Sequence, residues 1–459
     1  MTYLYITQAL CNFGFYGIKS IFVLYAIQQL NLDKPQAIAL FATFMTLCYA
    51  TSLIGGTIAD RVLGIKNTVL MGGLLTFTGL LSFTFSSPEF CYLGLAFMSL
   101  GSGFFKPNLS TSVGLFFENP KDPQKDRAYS HFYMAMNVGS LLAPLVCGLV
   151  SMQYGWNYGI LLIAGGFLGA TYLFNQKVHF GDQESSRVNL TFLKSLLLGI
   201  PLGVTIVLFY GLFKYRDSFH GLMGIIAVSS VIYLGRIYYQ CNALERKDVR
   251  HIMGSILLFA FFCSLFEQSG SSLLLFFDTG VDRTVFGRLI PSSAFLSLSP
   301  LFVLILSPIL LFLFKTYFEK TKPLDGFFKI GLGFVFVGVS FLLLSYSSYQ
   351  EISLVSPIWV VLAVSIQTIG ELLVVPIVLS NISKYSPPRF RSVMMSYWLM
   401  AIAYGHYFAG FIAQFSVGTP LESSANALER YGSFFFSLGL MPLCVAVLLL
   451  GYQGMRRLR

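Results

Sequence analysis

Apolar residues fall along this chain in fourteen long runs, at roughly 3–30, 37–59, 67–86, 90–114, 129–153, 157–175, 191–213, 219–240, 252–277, 294–315, 327–347, 354–380, 390–416 and 432–454. Each approaches or exceeds the ~20 residues that a helix needs to cross a bilayer. The pattern predicts fourteen transmembrane helices joined by polar connections. The longest connections, near 115–128, 176–190, 278–293 and 417–431, have neither the length nor the composition of a soluble domain.

One run interrupts its own apolar pattern. Between Ile252 and Phe277 it carries Glu267 and Gln268, then Ser269, Ser271 and Ser272. A carboxylate in hydrocarbon costs about 2.5–3.5 kcal/mol on insertion scales, so it faces a bundle interior or a water-filled cavity and marks function by default. The alternative is a protonated glutamate that serves only as interhelical glue. The run begins near the chain's midpoint, behind the basic stretch Glu245–Arg250, and reads as the first helix of a second half.

Composition agrees with the pattern. Of 459 residues 55% are hydrophobic and 11% charged, against about 25% charged in soluble domains, so most of the chain belongs in lipid. Met1 leads almost directly into an apolar helix, with no pattern of a cleavable signal peptide. The seven cysteines are scattered, without metal-ligand spacing, and read as small buried residues. A net charge of +10 would suit nucleic acid, but its distribution points to topology. Twenty-one of the thirty Lys+Arg fall on one set of alternating connections, from Arg61 and Lys66 through Arg246, Lys247 and Arg250 to Arg456, Arg457 and Arg459. The other set holds six: Lys34, Lys214, Arg216, Arg283, Arg288 and Arg430. The positive-inside rule then places both termini in the cytoplasm.

Inside the runs the ionisable residues are few: Lys19, Lys106, Glu267, Glu371 and His406. Lys106 precedes Pro107 and follows Gly101 and Gly103, which suits an interrupted helix lining a cavity; the competing role is a lysine that snorkels to the interface. Glu371 lies between Gly370 and Pro376, again a carboxylate on an interruptible helix. Opposite charges in opposite halves suit a zwitterionic or anionic solute held between two bundles, although Lys19 and Glu371 could instead form an ion pair closing one face of the cavity. Tyr16 and Tyr49 lie well inside helices, where each hydroxyl needs either a ligand or a buried carbonyl. His406 titrates in the physiological range when unperturbed, with a structural interhelical bond as the competing role.

Several stretches in order resemble the proton-dependent oligopeptide transporter family of the major facilitator superfamily. Gly55–Gly64 (GGTIADRVLG) is similar to the facilitator loop between the second and third helices, and Gly101–Ser110 to the family's fourth helix. Phe132–Leu141, Glu267–Ser272, Ile290–Ser293, Ser299-Pro300, Gly370-Glu371, Ser386–Arg389 and Trp398 follow in family order. The first helix departs from the pattern. Where the family carries ExxER before FxYYG, this chain has Gln8, Cys11 and Asn12, and Phe15 replaces the first tyrosine. The eighth helix has Ser299 where asparagine is common.

The resemblance implies an all-α membrane protein of the major facilitator fold, two six-helix bundles plus two extra helices. The expected organisation is an N-terminal bundle over 1–176, a linker with two additional helices over 177–250, and a C-terminal bundle over 251–459. It implies a substrate site at Tyr16, Lys19, Tyr49, Lys106, Asn137 and Glu371, with the cations facing a peptide carboxylate and Glu371 its amino group. Asp60 and Arg61 take the conformational gating positions. With no carboxylate on the first helix, Glu267 is the best-placed acid for proton coupling, and His406 is a second candidate. The expected activity is alternating-access uptake of di- or tripeptide-like solutes by a multi-pass monomer in a bacterial inner membrane, with the proton as coupling ion and no cofactor or metal. The alternatives are a facilitator or exchanger of another small polar metabolite, or a transporter-derived receptor without flux. An intramembrane enzyme is disfavoured, since no GxSxG, HExxH or Asp/His pairing is present.

Overall fold

The computed structural model describes residues 1–117, 123–178, 192–313, 326–350, 353–418 and 424–458. Lys121, Arg187, Lys315, Lys320, Lys322 and Arg459, counted above for topology, lie outside the described residues. Fifteen α-helices occur among the described ones. They are α1 (Thr2–Gln28), α2 (Lys34–Ile58), α3 (Gly64–Phe83), α4 (Pro88–Gly114), α5 (Pro123–Tyr154), α6 (Trp156–Lys177), α7 (Phe192–Lys214) and α8 (Arg216–Gln240). The rest are α9 (Ala243–Phe266), α10 (Ser272–Thr279), α11 (Leu298–Leu313), α12 (Gly326–Gln350), α13 (Pro357–Tyr385), α14 (Arg391–Ala413) and α15 (Ser424–Leu458). Each apolar run of the sequence falls on one of these helices, or on the broken pair α9–α10. Among the described residues, ten helical stretches are long and apolar enough to cross a membrane, one of which, Lys34–Phe83, spans two runs in 50 residues. Helices α4, α7 and α14 fall outside that set: α4 and α14 are thinned in apolar content by Gly, Ser, Tyr and the ionisable Lys106 and His406, and α7 contributes only the shorter apolar stretch Gly199–Lys214 among the described residues.

Local chemistry sets several boundaries. Asp33 caps α2 by accepting from the Gln36 N–H at 2.6 Å, with Pro35 in the first turn. A capping box starts α9: Asn242 accepts from the Glu245 N–H at 2.9 Å, and the Asn242 N–H donates back to Glu245 at 3.0 Å. The end of α2 widens into a π-helical turn, Ala59–Leu63, and the chain enters α3 through Gly64 at φ +76°, a conformation that favours glycine.

Two features differ from a plain reading of the runs. The run from Ile252 to Phe277 is not one helix: a 3₁₀ turn at Glu267–Gly270 separates α9 from α10. Gly270 is a weak helix former, and the serine hydroxyls offer the backbone other partners, Ser271 Oγ donating to the Gln268 carbonyl at 3.4 Å. The connection after α10 holds a small hairpin, β1 (Thr284–Val285) and β2 (Arg288–Leu289), turning through Phe286 and Gly287, both at positive φ. Its base is tied to residues ahead of α13 by hydrogen bonds from Asp282 N to Val355 O (2.9 Å) and from Val355 N to Gly280 O (2.8 Å).

The chain divides into two compact units, Met1–Gly224 and Ile225–Arg459. In the first, α1 packs between α5 and α6, while α4 packs along α2, α3 and α7. Small residues let α2, α3 and α4 approach backbone to backbone: a Cβ added at Gly72 would stand 2.7 Å from the Gly101 carbonyl oxygen, and one at Gly55 would collide with Gly103. Thr51 Oγ1 crosses from α2 to the Ser99 carbonyl at 2.7 Å, and Tyr25 OH reaches the Phe83 carbonyl at 2.7 Å. In the second unit α12 packs against α13 and α15, and α9 against α13 and α14, around an aromatic core that includes Phe262, Phe276, Phe334, Phe341 and Phe435. Ser345 Oγ to the Gly432 carbonyl (2.8 Å) joins α12 to α15.

Candidate functional site

In the first unit the site begins where α1 lacks charge. Gln8, Cys11 and Asn12 are buried, and they form a neutral seam rather than an empty one. Gln8 Nε2 donates to Asn12 Oδ1 at 3.2 Å; Asn12 Nδ2 lies within bonding distance of the Met136 carbonyl (3.2 Å) and Ser140 Oγ (3.1 Å) on α5. The sequence showed only that the ionisable groups were missing. It gave no sign that their replacements fasten α1 to α5.

One turn further along α1, Phe15 presents its ring to Lys106. The ammonium lies 3.2 Å from the Phe15 centroid and 5.6 Å from that of Tyr49 on α2. Tyr16 meets Phe15 edge to face at 5.9 Å between centroids, and Lys19, buried at 6% exposure, holds its ammonium 5.4 Å from the Tyr16 ring. Lys106, Tyr49, Tyr16 and Lys19 are thus linked through aromatic faces from α1, α2 and α4. An ammonium over a partly desolvated ring gains about 0.5–2 kcal/mol without any formal negative charge. Lys106 is half-buried, and the rings offset part of the cost of burying its ammonium. Phe15 was legible only as a lost tyrosine hydroxyl; its role as a seat for a lysine 91 positions away in the chain was not.

Asn137 is buried on α5, where its side chain donates to the Tyr133 carbonyl at 2.9 Å, a bond within its own helix. Asp60 and Arg61 lie exposed in the π-helical turn between α2 and α3, the loop position expected of gating residues.

In the second unit Glu267 ends α9 and opens the 3₁₀ break. Its Oε1 lies 3.6 Å from Nε2 of His406 on α14, with side-chain exposures of 12% and 1%. The neighbouring Gln268 is fully buried and bridges the two helices: its Nε2 lies within hydrogen-bonding distance of the Ser264 carbonyl at 3.0 Å and the Ala409 carbonyl at 3.1 Å, while its Oε1 accepts from Ser272 at 2.5 Å. Gly405 sits so close to Cys263 that a Cβ there would collide with it. Eight residues before His406, Trp398 stacks on Phe259 at 6.1 Å with an interplanar angle of 7°. Glu371 is half-buried on α13, next to Gly370, whose backbone approaches Gly333 of α12 closely. The structure therefore joins Glu267 to His406, two candidates that the sequence could not associate. Gln268, which fixes their seam, was visible only as a second polar residue beside the acid.

The sequence profile of the POT family matches residues 66–429. An uncharacterised transporter of Bacillus subtilis, YclF, is 29% identical over 418 residues, covering 87% of this chain and 84% of its own. Dipeptide and tripeptide permease A of Salmonella typhimurium is 26% identical over 449 residues, covering 96% and 88%. Among solved structures, a peptide transporter POT in complex with sulfate superposes with a TM-score of 0.87 at 28% identity, over 99% of this chain and 94% of that one. A POT family transporter in complex with 5-aminolevulinic acid gives 0.80 at 25%, over 98% and 95%.

Proposed function

Because the chain belongs to the POT family, we propose that it is a secondary transporter that accumulates di- or tripeptides, or solutes like them, at the expense of a proton gradient. It is an integral multi-pass membrane protein of the major facilitator fold, and a transporter rather than an enzyme. The named relatives include peptide permeases, and the structural neighbours include one holding 5-aminolevulinic acid, a small zwitterion. The observation that carries the reading for this chain is the Lys106 ammonium seated on Phe15 and Tyr49, a buried-stem cation suited to a carboxylate. Lys19 and Tyr16 extend that group, Asn137 and Tyr49 supply polar contacts, and Glu371 is assigned to the amine.

The coupling acid is Glu267, the carboxylate at the helix break. Both termini face the cytoplasm of a bacterial cell whose inner membrane holds the protein, in keeping with the bacterial relatives and the Lys+Arg asymmetry, and the protein works as a monomer. Three regions divide the work: the bundle over 1–176, the linker over 177–250 whose two helices lie outside the transport core, and the bundle over 251–459. Asp60 and Arg61 gate the first bundle.

The test is uptake of a panel of labelled dipeptides, tripeptides and amino acids into proteoliposomes with an imposed pH gradient. One proton per solute sets a limit of about tenfold accumulation per pH unit, since one unit is 1.36 kcal/mol. Accumulation of a peptide above its external concentration, abolished when the gradient is collapsed, is the expected result. Equilibration indifferent to the gradient would make the protein a facilitator.

A further inference from the structure

We infer that His406 and Glu267 act as one proton-binding unit, so that the coupling proton of this transporter is held by a histidine–carboxylate pair lying wholly within the second unit. The inference rests on the proposed proton-coupled activity and assigns it a second residue. Three observations converge on the pair. His406 Nε2 and Glu267 Oε1 stand 3.6 Å apart at a site where the histidine is 1% exposed, close enough for one proton to be passed with a small side-chain movement. The pair lies where α9 ends, and the carbonyl end of a helix attracts positive charge. The first helix offers no acid or base in place of the missing ExxER groups: Gln8, Cys11 and Asn12 are neutral, and the two amides are bound to each other and to α5.

The geometry also connects the pair to a structural joint. Glu267 belongs to the 3₁₀ turn between α9 and α10, and Gln268 ties that turn to the Ala409 carbonyl of α14, one turn beyond His406. A change of charge on the pair therefore acts on the α9–α14 contact, which Gly405 and Cys263 hold at backbone distance. The other ionisable side chains on elements packed around it are Arg391, Tyr397, Tyr404 and Tyr407 on α14, Glu245, Arg246, Lys247, Asp248, Arg250, His251 and Cys263 on α9, Asp278 on α10, Glu371, Lys384 and Tyr385 on α13, and Lys329, Tyr346 and Tyr349 on α12. Of these, only Glu371 is both acidic and placed in the middle of a helix.

The proton balance is simple. With neutral imidazole and ionised carboxylate the pair has a charge of −1. One proton from the side of higher activity, bound on either Nε2 or Oε1, brings it to zero, and the same proton leaves to the other side as the pair returns to −1. No other group needs to change its protonation, and one proton moves per cycle.

The test compares His406→Gln, which keeps a hydrogen-bonding side chain but cannot titrate, with the wild type and with Glu267→Gln in proteoliposomes. His406→Gln should lose gradient-driven accumulation, falling to an inside-to-outside ratio of about one where the wild type reaches several-fold, up to about tenfold per pH unit. Solute counterflow should continue at a rate that no longer varies with pH, and the double variant should behave like either single one, as residues acting as a unit do. Normal accumulation by His406→Gln, alongside a gradient-dependent wild type, overturns the inference and leaves the proposed activity standing. A wild type indifferent to the gradient overturns both. Should His406→Gln lack counterflow as well, pH-difference infrared spectra of the wild type decide: the carboxyl band lost in Glu267→Gln and an imidazole band must titrate together, and separate titrations refute the pair.

Discussion

Replacing Lys106 by methionine tests the carboxylate seat with little change of shape. The ammonium lies 3.2 Å from the Phe15 centroid and 5.6 Å from that of Tyr49, and the methionine thioether can occupy the same aromatic faces. What disappears is the charge. A charge-assisted hydrogen bond between an ammonium and a carboxylate is worth about 1.5–3 kcal/mol net, which a half-buried site places near the middle of that range. At about 1.4 kcal/mol per tenfold, the variant should bind a free dipeptide about thirtyfold more weakly. The same dipeptide with an amidated C-terminus has no carboxylate to lose, so its affinity should change by no more than about twofold, the cation–π contribution being a property of the protein alone. The assay is competition by free and amidated forms against a labelled solute, measured as the concentration that halves uptake in wild type and variant. An equal loss for both forms would show that Lys106 supports the packing of α1, α2 and α4 rather than recognising the carboxylate, and the proposed pose would fall.

Two further predictions test the other unit and the topology. Glu371→Gln should weaken peptides with a free amine by about tenfold, in line with a lost charged hydrogen bond, and leave N-acetylated ones nearly untouched; competition with the two forms checks it. A single cysteine introduced at Phe286, which is fully exposed at the hairpin turn, should react with an impermeant thiol reagent from outside intact cells, and labelling only after permeabilisation would invert the orientation drawn from the Lys+Arg asymmetry.

The helices were legible because length and apolarity alone decide a membrane span, and among the described residues eleven of the fourteen runs fall in stretches that have both. The candidate residues stood out for the same reason: a chain with so few charges inside its apolar runs makes Lys106, Glu267 and Glu371 conspicuous. What the sequence could not supply was partnership. Asn12 finds the Met136 carbonyl 124 positions away, and Gln268 finds that of Ala409 141 positions away; no local pattern encodes such bonds. The 3₁₀ break after α9 was hidden because glycine and serine are tolerated in membrane helices, so Ser269–Ser272 did not compel an end to the run. The hairpin at 284–289 escaped notice because Phe-Gly lacks the Asn or Asp that marks such turns.

The neutral seam between α1 and α5 alters what the charge on Lys106 can do. An acid on α1 at about 4 Å from the ammonium would attract it by about 4 kcal/mol at an effective dielectric constant near 20, and would compete with a substrate carboxylate for the same cation. A proton would then have to reach that acid before the cation could be released. Here the corresponding positions hold Gln8, Cys11 and Asn12, with Asn12 bound to Ser140 and Met136, and the cation rests on rings that can neither gain nor lose a proton at physiological pH. On the reading proposed above, carboxylate capture by the first unit is therefore independent of α1 protonation, and proton sensitivity falls to groups that can titrate. Those groups meet at the end of α9, where Glu267 faces His406 across a helix contact too tight to admit even a methyl group at Gly405. On that reading carboxylate capture and proton binding are assigned in this chain to different units.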